Sequence, residues 1–381
     1  QTKKSFKMIK YWSLLEEYKK NKKKILSNIS KTLNKGNIFF GDQLNIFEKT
    51  FIKKYKSKYG IAVGSGTDAI LISLLALNLK KNDEVIVPAN TAIPTISAII
   101  NAGGKPKLID VENDYLISIS KIKKAVNKNT KVIIPVHLYG QSCRMAEIIK
   151  FANKNKIKII EDCAQAQGAK YENKFVGTFG LSGCFSFYPT KILGAYGDGG
   201  FILTNDFKFF EKIKRIRFYG IETNNRKKKF FNEYYSYENG INSRLDEIQS
   251  SILNFKLKNV ENFIHKRRKI ASIYNENLKG LGIQLPKQNS KCYHVYNTFT
   301  LYHKKRKYIM KYLKKNNIQT RVIYPYPIHE MKGYEDINKA KDLNNTTKLS
   351  KGIFSIPLYP ELKSTEILRI CKYLKNCMKS I

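Results

Sequence analysis

The sequence predicts an α/β protein, with a large, mainly parallel, seven-stranded-type mixed sheet flanked by helices and a smaller α+β domain at the carboxyl end. Three observations carry that expectation. Short apolar, β-branched runs alternate with helix-length amphipathic segments between about residues 60 and 204. The chain has 381 residues, 42% of them hydrophobic, which is enough for two cores. After residue 254 a long basic helical stretch breaks the alternation, and helix-like and strand-like pieces follow it.

Taken in order, apolar residues recur at helix spacing from about Leu14 to Ser57, with a turn at Gly36-Asn37. Strands are expected at GIAV (60–63), EVIVP (84–88), PKLIDV (106–111), KVIIPV (131–136), IKIIED (157–162), GCFSF (183–187) and GFILT (200–204). These place a large domain at residues 9–254. Residues 255–281 read as one connecting helix that opens the small domain, 255–381, in which 293–302 is strand-like and YPYPIH (324–329) is punctuated by proline. In such folds ligands gather at the carboxyl ends of the parallel strands and between domains.

Composition narrows the class. No apolar run approaches the roughly 20 residues of a membrane span, and residues 1–7 lack the apolar core of an export signal. A soluble, cytoplasmic protein without a membrane partner is expected. The formal charge is +40, from 70 Lys and Arg against 30 Asp and Glu. Its lysines are spread over nearly every amphipathic segment (19–24, 53–58, 227–229, 304–307), which reads as solvated faces and not as a specific nucleic-acid surface. The six cysteines are scattered with no CxxC pair and no His at ligand spacing, so buried, reduced thiols and no metal are expected.

Three segments carry chemistry. In GSGTDA (64–69), which follows a strand and opens a helix, Gly64 and Gly66 permit a tight backbone and the amides of Gly66 and Thr67 can cradle a phosphate. IKIIED ends in Glu161-Asp162, which sets a carboxylate at the carboxyl edge of the sheet. In FSFYPTK (185–191), Ser186 and Lys191 flank Pro189 ahead of a glycine-rich stretch. Desolvation in such a loop would depress the pKa of Lys191 and free its amine as a nucleophile.

These motifs, in this order, resemble the DegT-type sugar-nucleotide aminotransferases, pyridoxal 5′-phosphate (PLP) enzymes of the aspartate aminotransferase-like fold. The resemblance spans about Ile9 to Tyr373 and also includes VPANT (87–91), HLYGQ (137–141), GDGG (197–200), NSRLDEIQ (242–249) and SIPLYPEL (355–362). It implies that Lys191 holds the cofactor as a Schiff base and shuttles a proton. It further implies that Asp162 faces the pyridine nitrogen, that Ala164 lies against the ring, and that Gln165 bonds the phenolic oxygen. Gly66, Thr67 and Ser186 would bind the phosphate, and Asn242 would reach the phosphate of a second subunit in a homodimer with shared active sites. Tyr188, Arg244 and His329 are the implied substrate contacts.

The same resemblance implies a ping-pong transfer from L-glutamate to a keto-sugar nucleotide. The GDGG and NSRLDEIQ variants look more like enzymes acting at carbon 3 of a dTDP-3-keto-6-deoxyhexose; carbon-4 and UDP-3-keto-uronic-acid enzymes are the alternatives, and a nucleic-acid-binding regulator on the same scaffold is the alternative of another class. Retention of lysine at 191 separates the chain from relatives with His there, which act as dehydratases. The sequence departs from the pattern at Ala92, where many relatives have an aromatic residue over the ring, and at Ile323, where many carbon-3 enzymes have His.

Overall fold

The computed structural model describes residues 7–222, 235–337 and 342–381; the lysine run at 227–229 lies outside them. Two helices come first, α1 (Leu14–Leu33) and α2 (Asp42–Tyr55), as the spacing predicts. Strands and helices then alternate: β1 (Tyr59–Val63), α3 (Gly66–Leu75), β2 (Glu84–Pro88), α4 (Ile93–Asn101), β3 (Lys105–Ile109), α5 (Ile119–Ala125), β4 (Thr130–Ile133), α6 (Met145–Lys154) and β5 (Lys158–Asp162). After the two-residue strands β6 (Lys170–Tyr171) and β7 (Lys174–Phe175) come β8 (Ser182–Ser186), β9 (Gly200–Thr204) and α7 (Phe207–Ile216).

All seven strands expected in the first half of the chain pair into one sheet of order β1-β9-β8-β5-β4-β2-β3. Only β9 runs against the rest, antiparallel to both β1 and β8; β8, β5, β4, β2 and β3 pair in parallel. The carboxyl ends of β1, β2, β4, β5 and β8 therefore share one edge. Side-chain alternation shows both faces covered. Ile61, Val63, Cys184 and Ile202 join the core formed with α3, α4 and α6. Ala62, Phe185, Phe201 and Leu203 join the core on the opposite face, under α2. There Phe51 stacks within 4.4 Å of Phe201 and 4.6 Å of Tyr55, ring to ring.

The expected single helix over 255–281 is two, α8 (Glu247–Leu257) and α9 (Val260–Leu278). The break falls at Lys258 and Asn259, where the Asn259 backbone N–H bonds the carbonyl of Lys256, three residues back, and its side-chain amide donates to the carbonyl of Phe255. Beyond lie β10 (Cys292–Tyr293), β11 (Phe299–Tyr302), α10 (Arg306–Lys315), α11 (Asn344–Gly352), β12 (Ile353–Ile356) and α12 (Ser364–Lys379). The segment 293–302, read as one strand, is interrupted between β10 and β11. β11 pairs antiparallel with β12, and α9, α10 and α12 pack a separate core around them. Ile9 belongs to that core and bridges to Ile318, so the start of the chain is tied to its last third. The six cysteines are buried free thiols, and among the described residues no helix is long and apolar enough to cross a membrane.

Candidate functional site

Gly66, Thr67, Asp162 and Ser186 converge on the shared carboxyl edge of the sheet. Asp162 ends β5, Ser186 ends β8, and Gly66 and Thr67 open α3 just after β1. Ser65 caps α3 by accepting the N–H of Asp68 at 3.0 Å, which leaves the first-turn amides of Gly66 and Thr67 without a partner inside the helix. Gly66 is required there: a Cβ on it would sit 2.5 Å from Cβ of Ser186. The helix start and the end of β8 are thus pressed together into one cradle of N–H and O–H groups, the geometry that holds a phosphate.

Asp162 is buried and held at both oxygens. Oδ2 accepts from the hydroxyl of Thr95 on α4 at 2.8 Å, and Oδ1 accepts the N–H of Ala164 at 3.0 Å. Gln165 is buried beside them, its Oε1 accepting the N–H of Tyr139 at 3.0 Å and its Nε2 donating to the phenol of Tyr324 at 2.7 Å. Lys191 lies in the loop after β8 and lines a cavity of about 400 Å³ with Gln165, Tyr188, Tyr324, Arg267 and Arg321. Desolvation pushes its amine down to about 8, and the negative charge of Asp162 acts in the opposite sense. At neutral pH a usable fraction of that amine is a free base, which an ordinary surface lysine is not. No acidic residue lines this cavity among the described residues, so it presents cations, phenols and amides.

Three expected residues stand apart from this cluster. Asn242 is exposed and bridges to Phe218, and the guanidinium of Arg244 stacks on Phe39, 4.1 Å from its centroid. His329 does not line the Lys191 cavity; its Nε2 contacts the hydroxyl of Thr347 at 3.0 Å, and burial lowers its pKa. Tyr188 is 53% exposed at the cavity mouth.

Several supporting groups lie outside the expected set. Ser243, between the two flagged residues of NSRLD, accepts the N–H of Gly64 and donates to Asp68, both at 2.8 Å, and so ties that segment to the cradle of its own chain. Glu161 is fully buried next to Asp162. It accepts the N–H groups of Gly177, Phe179 and Gly180 at 2.7 to 2.8 Å and contacts His137 Nε2 at 3.1 Å. His137, Glu161 and Cys163 come within 4.8 Å of one another, which their spacing did not reveal. His137 and Glu161 make a hydrogen-bonded wall: Nδ1 of His137 accepts the N–H of Cys143, so Nε2 carries the proton and donates to Glu161. Glu161→Gln would turn an amide N–H toward backbone donors at this wall. It is expected to cost about 3 kcal/mol in urea unfolding, the scale of bonds to a buried charged acceptor; a loss below about 1 kcal/mol would contradict this account.

Comparison with known proteins agrees with the geometry. Residues 19–375 match the DegT/DnrJ/EryC1/StrS aminotransferase family. A protein of Aneurinibacillus thermoaerophilus named dTDP-3-amino-3,6-dideoxy-alpha-D-galactopyranose transaminase is 38% identical, over 95% of this chain and 98% of its own length. One of Micromonospora megalomicea subsp. nigra, named dTDP-3-amino-3,4,6-trideoxy-alpha-D-glucose transaminase, is 36% identical over 92% and 94%. Further relatives bear names that specify UDP- or GDP-linked sugars. The crystal structure of ntda from Bacillus subtilis with bound cofactor PMP superposes with a TM-score of 0.89 at 31% identity, covering 100% of this chain and 87% of that one.

Proposed function

The chain belongs to the DegT/DnrJ/EryC1/StrS aminotransferase family, and on that premise we propose that it carries an amino group from L-glutamate to carbon 3 of a dTDP-linked 3-keto-6-deoxyhexose. The chain is a PLP-dependent sugar-nucleotide aminotransferase. Carbon 3 and the dTDP carrier are supported by the names of the 36% and 38% identical relatives and by the GDGG and NSRLDEIQ variants. The single observation that carries the chemistry is Lys191, a half-buried amine with a depressed pKa in a cavity walled by Gln165 and Tyr324 and under the charge of Asp162.

The residues present fit the cofactor. A lysine amine, a carboxylate held at both oxygens and a phosphate-shaped cradle at a helix start are the donors and acceptors it requires. Bound there, PLP supplies an electron-withdrawing ring and an amino carrier. In this reading Lys191 holds it covalently and moves the proton at the reacting carbon. Asp162 keeps the ring nitrogen protonated, Ala164 lies along the ring face, and Gln165 donates to the phenolic oxygen. Gly66, Thr67 and Ser186 take the phosphate, and the exposed Asn242 serves the phosphate of a second copy in a homodimer. Tyr188, which lines the cavity, would meet the sugar nucleotide, whereas Arg244, stacked on Phe39, and the Thr347-bonded His329 would have to act from outside the cavity lining.

A panel of dTDP-, UDP- and GDP-linked 3-keto and 4-keto sugars, each incubated with enzyme and 15N-glutamate, tests the finer reading. Mass spectrometry should find 15N in the dTDP-3-amino product in clear excess over the others. Preferential labelling of a 4-amino or UDP-linked product would transfer the assignment to that substrate.

A further inference from the structure

We infer that Tyr324 is a further cofactor-contacting residue: it orients the side-chain amide of Gln165 and presents its own O–H to the same oxygen of the bound cofactor that Gln165 serves. This rests on the aminotransferase reading above and goes beyond it, because the phenol comes from the last third of the chain and from none of the motifs that define the site.

The direction of each hydrogen bond follows by elimination. The backbone N–H of Tyr139 can only donate, so the amide atom of Gln165 facing it at 3.0 Å is the oxygen. The other end of the amide, 2.7 Å from the Tyr324 phenol, is then the nitrogen, which can only donate. The phenol oxygen accepts there, and its own proton has to point elsewhere. Gln165, Tyr324 and Lys191 line one cavity, and the second N–H of the Gln165 amide is likewise uncommitted to Tyr139. An amide N–H and a phenol O–H thus leave adjacent atoms, the arrangement that stabilises charge on a single oxygen.

The backbone supports a built feature. Tyr324 (φ 62) and Tyr139 (φ 58) are both non-glycine residues in the left-handed region, where strain is retained chiefly at functional sites. They are tied to each other a second time, since the Tyr139 hydroxyl donates to the carbonyl of Ile323 at 3.3 Å. The circuit from Tyr139 through Gln165 to Tyr324, and back through Ile323 to Tyr139, clamps the 321–325 segment onto the sheet edge. Asp162 and Tyr11 act electrostatically on the phenol, Tyr139 lies across the circuit, and Lys191, Arg267 and Arg321 share its cavity. Burial, reinforced by the charge of Asp162, keeps the phenol protonated, so it remains a donor.

The test is a pH titration of the visible absorbance of the PLP-loaded enzyme. The high-pH form carries more negative charge on the cofactor oxygen, so removing a donor disfavours it. Tyr324→Phe should raise the midpoint by about one pH unit, the scale of one hydrogen bond to a charged oxygen. Site-specific 3,5-difluorotyrosine at 324 keeps the shape and strengthens the donor, so the midpoint should fall; it also keeps the inference testable if the phenylalanine variant fails to fold. Tyr139→Phe removes the hydroxyl's ties to Ile323 and Asn90 but leaves the backbone N–H that holds Gln165, so it should lower thermal stability while the midpoint stays. An unchanged midpoint in both Tyr324 variants, or an equal rise in Tyr139→Phe, would overturn the inference. The unmutated protein is the separate control: failure to take up PLP, or to lose its colour with glutamate, would sink the aminotransferase reading itself.

Discussion

Lys191→Ala should abolish amino-group transfer, lowering turnover by the several orders of magnitude expected when a covalent nucleophile is deleted, without lowering the stability of the cofactor-free protein. The second half of this expectation follows from linkage. The amine titrates at about 8 in the fold and near 10.4 in an unfolded chain. Between those values the unfolded state binds more protons, so stability should rise with pH across that window, and below it the folded state carries the full cost of a desolvated cation. Alanine removes that cost. At pH 7 the melting temperature of Lys191→Ala should therefore equal or exceed that of the parent. The rise in stability between pH 8 and pH 10 contributed by this group should vanish. Borohydride reduction of the parent should place the mass of the reduced cofactor on the peptide containing Lys191. Finding it on another lysine would move the whole site, and a variant that melts well below the parent at pH 7 would show that Lys191 packs the loop instead of serving chemistry.

Much of the site was legible because chemistry-bearing residues follow strands, and strands announce themselves by apolar, β-branched runs. Asp162 and Ser186 are at strand ends in the sequence and at the ends of β5 and β8 in the fold. The antiparallel sense of β9 was not legible, since GFILT is as apolar as its parallel neighbours and only pairing decides direction. Nor was the break at Lys258-Asn259, where the apolar periodicity runs on across the two helices. Thr95, Tyr139 and Tyr324 escaped for a different reason. They act on Asp162 and Gln165 through contacts between residues 26 to 159 positions apart, and no local pattern encodes that. Glu161 does carry a local signal: a carboxylate inside an apolar strand needs donors, and here three backbone amides and His137 supply them.

Asp162→Asn is expected to keep the fold and the cofactor yet slow transfer by more than about 100-fold, the scale lost with a strong electrostatic group in a preorganised site. The shape survives for a specific reason. Ala164 N–H fixes the oxygen of the new amide at the Oδ1 position, which sends its NH2 toward Thr95. The Thr95 hydroxyl, which now donates to Oδ2 at 2.8 Å, can turn and accept, with Thr91 only 3.2 Å away to receive its proton. What disappears is the charge, and its loss has two separable readings. The proposed pairing with the cofactor's ring nitrogen goes, and turnover falls with it. In the cofactor-free protein the same charge is what raises the pKa of Lys191 against desolvation, so the amine should titrate below about 8 in the variant, as measured by the pH dependence of its acylation by a small reagent. Near-normal turnover would remove Asp162 from the chemistry. A Lys191 titration that does not move would show that the two groups are not electrostatically coupled, and the influence of the Asp162 charge on the Lys191 amine would have to be abandoned.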